Sequence, residues 1–124
     1  MNADRRRFLR TALFAAAALG LPRIGSTSPS LGSLKQVDAG ALNVGYAEVG
    51  PSGGPPVILL HGWPYDIHTY VDVAPLLGSA GYRVLVPYLR GYGTTRFLSS
   101  NTPRNGQQSV IAVDVIALMD ALRI

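Results

Sequence analysis

The residues His61-Gly62-Trp63-Pro64 directly follow an apolar run at residues 57–60, and their types suit a rigid corner that stabilises negative charge. Gly62 has no Cβ and permits a sharp turn, while Pro64 fixes φ and stiffens the exit. Between them the backbone N–H of Trp63 is held in place, as an oxyanion hole requires, and its indole could line an apolar pocket. The alternative is an ordinary tight turn in which His61 donates to the backbone.

The other polar residues do not predict a complete catalytic or metal site. His61 and His68 are the only histidines, and they lie on different predicted elements at a spacing unlike that of known metal ligands. Asp66 is expected to cap a helix, and Asp114 and Asp120 are six residues apart, which places them on different helix faces. The chain has no cysteine, which excludes a thiol nucleophile and thiolate ligands within it. We therefore predict no self-contained triad, metal or cofactor.

The segments around the corner predict an α/β fold. Residues 34–49 are typical of two short strands with a turn at Ala39-Gly40, and residues 57–60 are typical of a strand that is buried on both faces. A helix is expected from Ile67 to about Ala80, shortened or kinked at Pro75. Residues 82–89 predict a second buried strand. Strand, helix and strand in this order are characteristic of a parallel sheet covered by helices.

The remaining segments are a long loop and a final helix. Residues 90–106 predict a loop long enough to be functional or mobile. Residues 107–122 predict an apolar helix with one face on a core, formed by Ile111, Val115, Leu118 and Leu122. The glycine-rich stretch at residues 50–56 precedes a strand and lacks the Gly and Lys placement of phosphate loops, so nucleotide binding is not predicted.

The first 28 residues predict an export signal and a tether. A basic start is followed by an apolar run from Thr11 to Leu21, too short to span a bilayer comfortably. Arg5-Arg6-Arg7-Phe8-Leu9-Arg10 resembles the twin-arginine signal, with Asp4 where Ser or Thr is usual. We expect export to the bacterial periplasm or the medium, with the twin-arginine machinery as partner. A frayed amphipathic helix is the alternative.

The distribution of charge argues against a nucleic-acid partner. The formal net charge is +4. The excess lies in the leader, and from residue 24 onward six basic residues balance six acidic ones. A neutral domain has no electrostatic footprint for a phosphate backbone. No stable membrane span is predicted either.

From about residue 42 to residue 124 the chain resembles the α/β-hydrolase superfamily, most closely its epoxide-hydrolase and haloalkane-dehalogenase-like branch. The resemblance rests on a strand ending in His-Gly-x-Pro, on "AGYRV" after the next helix, and on "RGYG". It implies that Trp63 gives one oxyanion N–H, with His61, Gly62 and Pro64 as structural support. The turn Arg90-Gly91-Tyr92-Gly93 would shape the next loop. Tyr88 stands where the family usually has Asp, so the local pairing of that Asp is absent or replaced.

The resemblance also implies which parts are missing. The family nucleophile lies on a sharp turn after the next strand, within Gly-x-Ser-x-Gly or its Asp counterpart, and the acid and base follow it. We expect neither Gly-x-Ser-x-Gly nor Gly-x-Asp-x-Gly, and thus no nucleophile elbow, within the 124 residues. Residues 29–124 are therefore expected to form the N-terminal part of a hydrolase sheet, with two leading strands followed by β-α-β-α.

Two functions are consistent with this sequence. The first is a hydrolase that acts through a covalent intermediate on a small apolar or ester-like substrate, of which this chain is an N-terminal piece. An Asp nucleophile would favour epoxides or alkyl halides, and a Ser nucleophile would favour carboxylic esters. The motifs favour the Asp branch. The alternative is a non-catalytic truncated product or a small interaction module. In either case we expect the chain alone to be inactive.

Overall fold

The computed structural model describes residues 30–124, which form a mixed β-sheet with helices on both faces. The predicted signal peptide and tether, residues 1–28, lie outside the described residues. The five strands are β1 (Leu34–Ala39), β2 (Leu42–Val49), β3 (Pro56–Ile58), β4 (Arg83–Pro87) and β5 (Arg96–Phe97). The helices are a 3₁₀ helix (Ile67–Tyr70), α1 (Val73–Ser79) and α2 (Gln108–Leu122).

The sheet order is β1-β2-β4-β3. β1 and β2 form the predicted antiparallel hairpin, which turns at Gly40 with a φ of 58°. β4 pairs with β2 antiparallel and with β3 parallel. β5 pairs with Leu42 and Asn43 at the start of β2, beyond the segment that β4 occupies. The prediction of a parallel β-α-β unit after two leading strands is confirmed.

Two apolar clusters cover the two faces of the sheet. One combines Val84 and Val86 of β4 with Ala74 of α1 and Ile67 of the 3₁₀ helix. The other joins Leu118 of α2 to the β1–β2 hairpin, and its buried members are Ala39, Leu42, Val44 and Leu118. The predicted apolar face of the last helix is confirmed, although only Leu118 on α2 is fully buried.

The helix predicted between Ile67 and Ala80 is two helices. Asp66 caps the 3₁₀ helix, since its carboxylate accepts from the N–H of His68 at 2.9 Å. The chain then bends, and α1 begins at Val73. Pro75 consequently lies in the first turn of α1, where its missing N–H interrupts no helical hydrogen bond. The predicted start at Ile67 with Asp66 as its cap is correct, and the interruption expected at Pro75 lies just before Val73.

β3 is shorter and more exposed than predicted. Its ladder with β4 ends with the bond from the N–H of Leu59 to the carbonyl of Leu85, at 2.9 Å. Leu60 is 41% exposed. Among the described residues β3 pairs with β4 alone, so it is an edge strand. Val57, Ile58 and Leu59 are only half-buried, so the predicted burial of this strand on both faces is not seen among residues 30–124, whereas its open edge was expected for a chain that ends at Ile124.

Candidate active site

The candidate site lies where β3 and β4 end. Because these strands are parallel, their carboxyl ends meet at one edge of the sheet. His61-Gly62-Trp63-Pro64 follows β3, and Tyr88 and the turn at Arg90 follow β4. The structure thus brings together the two motifs that the sequence separates by 26 residues.

The backbone N–H of Trp63 stands at this corner without an acceptor among residues 30–124. Within residues 30–124 its N–H donates to no main-chain carbonyl. The Trp63–Pro64 peptide bond is cis. Trp63 is 84% exposed among residues 30–124, and the apolar wall expected of its indole stays a prediction. Its backbone N–H is the donor that this corner presents.

His61 holds the corner to the segment after β4. Its side chain is buried, and its Nε2 accepts from the N–H of Leu89 at 3.2 Å. Because Nε2 accepts, the ring proton belongs on Nδ1, which faces the carbonyl of Gly62 at 3.5 Å. The imidazole also meets the ring of Tyr92 edge-on, with centroids 4.6 Å apart. Both ring nitrogens therefore contact the backbone.

Gly62 is less constrained than predicted. Its φ is not positive, and a Cβ placed on it would meet no heavy atom within 4 Å among the described residues. The turn at this corner therefore does not require glycine within the described part of the chain. The expectation that a missing Cβ makes the turn possible was wrong on this point.

The turn after β4 does depend on its glycines. Gly91 and Gly93 have φ values of 83° and 48°, in the left-handed region that other residues rarely adopt. A Cβ on Gly93 would also lie 2.4 Å from the ring of Tyr88. The N–H of Tyr92 donates to the carbonyl of Leu89 at 3.0 Å, which closes the turn.

Arg90 is buried and paired with a residue that the sequence did not suggest. Its Nε and Nη2 donate to the two carboxylate oxygens of Asp114 on α2, at 2.6 and 2.7 Å. These hydrogen bonds raise the pKa of Arg90 above its usual value. Asp114 lies between Ile111 and Leu118 on the inward face of α2. A carboxylate within an apolar helix face indicates a buried cationic partner, and this pattern could have predicted the ion pair from the sequence.

Tyr88 occupies the position where an acidic residue was expected, and its backbone is firmly held. Its N–H donates to the carbonyl of Gly45 at 2.8 Å, and its carbonyl accepts from the hydroxyl of Thr95 at 2.7 Å. Burial, and secondarily the charge of Asp66, raises the pKa of the Tyr88 phenol. Because Tyr88 carries no carboxylate, no local acidic partner is available at this position. Arg90 pairs instead with Asp114, 24 positions further along the chain.

Asp66 and His68 form an exposed pair at the start of the 3₁₀ helix. The carboxylate of Asp66 accepts from both the N–H and the Nδ1 of His68, each at 2.9 Å. The bond from the backbone N–H is the main reason that the pKa of Asp66 lies below its usual value. The prediction that Asp66 caps a helix is confirmed.

One serine does match the letters of a nucleophile elbow. Gly50-Pro51-Ser52-Gly53-Gly54 spells Gly-x-Ser-x-Gly, so the expectation that the motif is absent from the sequence was wrong. This segment is an exposed turn between β2 and β3, closed by a bond from the N–H of Gly54 to the carbonyl of Pro51. An elbow joins a strand to a helix. Ser52 also lies before β3, at the opposite end of that strand from Trp63.

No group of three or more His, Asp or Glu side chains could hold a metal ion within residues 30–124. No helix in the same range is long and apolar enough to cross a membrane.

Comparison with known proteins supports the architecture. A family profile described as the alpha/beta hydrolase fold matches residues 55–124. A haloalkane dehalogenase of Mycobacterium marinum is 45% identical over 56 residues, which are 45% of this chain and 19% of that protein. An epoxide hydrolase of Caballeronia sordidicola is 32% identical over 101 residues, which are 79% of this chain and 29% of that protein.

A solved structure is similar in both sequence and shape. It is a candidate epoxide hydrolase from Klebsiella pneumoniae, 65% identical with a TM-score of 0.73, and the match covers 74% of this chain and 30% of that protein. The chain spans less than a third of the length of these three proteins. The matched profile covers more than half of the chain. The chain belongs to the family of proteins with the α/β-hydrolase fold.

Proposed function

We propose that this chain supplies the oxyanion corner of an α/β-fold hydrolase that acts through a covalent intermediate. The observation that carries the proposal is the N–H of Trp63, which has no carbonyl partner in residues 30–124 and stands at the carboxyl end of β3. A donor that is already in place stabilises a developing oxyanion without reorganisation. The bonds of His61 to Leu89 and Gly62 hold the corner in position.

An epoxide or an alkyl halide is the proposed substrate class. Three of the similar proteins are named as a haloalkane dehalogenase or an epoxide hydrolase. An Asp nucleophile would attack the carbon and release an alkoxide or a halide, which leaves an alkyl-enzyme ester. Water then attacks that ester, and the N–H of Trp63 would stabilise the resulting oxyanion.

The nucleophile, acid and base are proposed to lie beyond Ile124. Sequencing the coding DNA after codon 124 tests this directly. An Asp within a Gly-x-Asp-x-Gly elbow after a predicted strand supports the proposed substrates, and a Ser there would replace them with carboxylic esters. A stop codon with no elbow downstream would overturn the proposal in favour of a non-catalytic product.

The role of Trp63 can be tested in the protein encoded by the whole reading frame. Trp63→Pro removes the N–H, and Trp63→Phe keeps it together with an aromatic side chain. We expect Trp63→Pro to lower kcat by about 100-fold to 1000-fold, as loss of an oxyanion donor does elsewhere. Trp63→Phe should change kcat far less. Circular dichroism checks that both variants fold, and equal kcat values would disprove the role of the N–H.

Export by the twin-arginine route is proposed for the leader. A fusion of residues 1–28 to a folded reporter should reach the periplasm of a bacterial host. Replacing Arg5 and Arg6 together by Lys should abolish this transport, while Arg7→Lys, at the variable position of the motif, is the matched control. Export that survives the double replacement would contradict the twin-arginine assignment.

A further inference from the structure

We propose that a cavity beside the Arg90 turn binds a small oxyanion, either a carboxylate or a phosphate. The cavity has a volume of about 250 Å³ and is lined by Arg90, Gly91, Phe97, Arg104, Asn105 and Gly106. It does not include Trp63, and the proposed hydrolysis gives it no role. Three features of its walls point to an anion.

The first feature is the stacked guanidinium of Arg104. Its Cζ lies 3.7 Å from the centroid of the Phe97 ring. Stacking uses the face of the guanidinium and leaves the in-plane N–H groups free to donate. No carboxylate lies within 4.0 Å of Arg104 among residues 30–124. A positioned cation that has no ion-pair partner within the described part of the chain therefore borders the cavity.

The second feature is that Arg90 already occupies the acceptor oxygens of Asp114 and Asn105. Asp114 is already engaged by both Nε and Nη2 of Arg90. The Nη1 of Arg90 donates to the carbonyl and to the Oδ1 of Asn105, each at 3.2 Å. Because arginine only donates, the side-chain atom that accepts must be the oxygen of Asn105, which leaves its Nδ2 as a donor. The nearby carboxylate is thus neutralised, and Asn105 has a donor to spare.

The third feature is the glycine backbone. The N–H groups of Gly91 and Gly106 donate to no main-chain carbonyl within the described residues. With Arg104 and the amide of Asn105 included, the residues that line the cavity carry four donor groups that have no acceptor among residues 30–124. A planar carboxylate or a tetrahedral phosphate accepts two parallel bonds from a guanidinium, which a spherical halide cannot do.

NMR titration of the isotope-labelled protein encoded by the whole reading frame tests the site. Phosphate and acetate are added in separate arms at constant ionic strength, with chloride as the third arm. We expect saturable shifts of the amides of Gly91, Phe97 and residues 104–106 with phosphate, acetate or both, and none with chloride. The stronger arm identifies the class of anion. Equal, non-saturating shifts in all three arms would overturn the proposal.

Three variants assign the binding to Arg104. Arg104→Gln should weaken the apparent Kd about tenfold or more, because charge-assisted bonds are lost. Arg104→Lys keeps the charge but lacks the planar fork, so it should restore only part of the affinity. Arg123→Gln, which makes the same charge change at the end of α2, should bind like the unaltered chain. Arg104→Gln binding as tightly as Arg123→Gln would disprove the site.

Discussion

At the scale of single residues, the two sides of the candidate site are joined by one imidazole. His61 stands in the segment after β3 and accepts from the N–H of Leu89 in the segment after β4. A buried N–H without an acceptor costs more than an average hydrogen bond contributes, because it loses its water as well. His61 therefore stabilises the corner chiefly by preventing that loss.

Replacing His61 tests this function. His61→Phe keeps a ring of similar size but removes the acceptor, and it should lower the free energy of unfolding by about 2 kcal/mol. His61→Gln can offer an oxygen to Leu89 and should lose less. Urea denaturation of the chain measures both. His68→Phe, at an exposed position, should stay within about 0.5 kcal/mol of the unaltered chain. A His61→Phe variant as stable as this control would refute the role of the acceptor.

At the scale of elements, β2 is the strand on which the sheet is organised. It pairs with β1 on one side and with both β4 and β5 on the other. The carboxylate of Glu48 accepts from Lys35 of β1 at 2.5 Å and from Arg83 of β4 at 2.6 Å. One buried carboxylate thus connects three adjacent strands. The bond from Lys35 is the main reason that the pKa of Glu48 lies below its usual value.

The lowered pKa predicts how stability depends on pH. Since the folded pKa is below the ordinary value of 4.5, the contribution of Glu48 is complete above that value. It is lost as the pH falls through the lower folded pKa. Glu48→Gln should cost about 2 kcal/mol at pH 7 and progressively less below about pH 4.5. Denaturation curves at a series of pH values measure this.

The matched control for Glu48 is Asp72→Asn. Asp72 makes no capping bond with its side chain at the start of α1, so the same charge change should leave stability nearly unaltered. A constant difference between the Glu48→Gln variant and the unaltered chain from pH 7 to pH 3 would contradict the assigned cause.

The connection between the Arg90 turn and α2 is the second feature at this scale. Asp114→Asn would leave a buried guanidinium without its counter-charge, and we expect a loss of about 3 kcal/mol or more. Asp120→Asn removes the same charge from an exposed position on the same helix and should have little effect. Replacing Arg90 by Met and Asp114 by Leu together should cost less than Asp114→Asn alone. Urea midpoints that are equal for Asp114→Asn and Asp120→Asn would disprove the pairing.

At the scale of the whole molecule, the sheet of the described residues has an exposed apolar edge. β3 pairs with β4 alone within residues 30–124, and Leu60 beside it is 41% exposed. An unpaired strand edge is a template for association with other chains. The outer face of α2 also exposes Val113 and Ile116. These surfaces lower the stability and solubility expected of residues 30–124 on their own.

We therefore predict that the isolated chain has a free energy of unfolding below about 5 kcal/mol and tends to associate. Light scattering with size separation measures association, and Leu60→Lys should reduce it by placing a charge at the edge. The isolated chain should turn over no epoxide, alkyl halide or ester. A stable monomer with a cooperative melt would contradict the first expectation, and measurable turnover would contradict the second.

Apart from β5, which lies in the predicted loop at residues 90–106, the order and type of the elements could be predicted from the sequence because local signals encode them. Alternation and turn residues define the β1–β2 hairpin, and a helical stripe defines α2. The corner at Trp63 was found in the same way, since Gly and Pro mark turns wherever they occur. Each of these signals depends on residues that are close together in the chain.

Other features were decided only by the tertiary structure. The pairing of Arg90 with Asp114 joins residues 24 positions apart, and β5 pairs with a strand more than 50 residues earlier. A periodic pattern reports which face of a segment is apolar, but not which distant segment covers it. The choice of partners depends on the free energy of the assembled sheet. The donors around the cavity beside Arg104 come from segments that are separate in the chain, so their proximity is visible only in the tertiary structure.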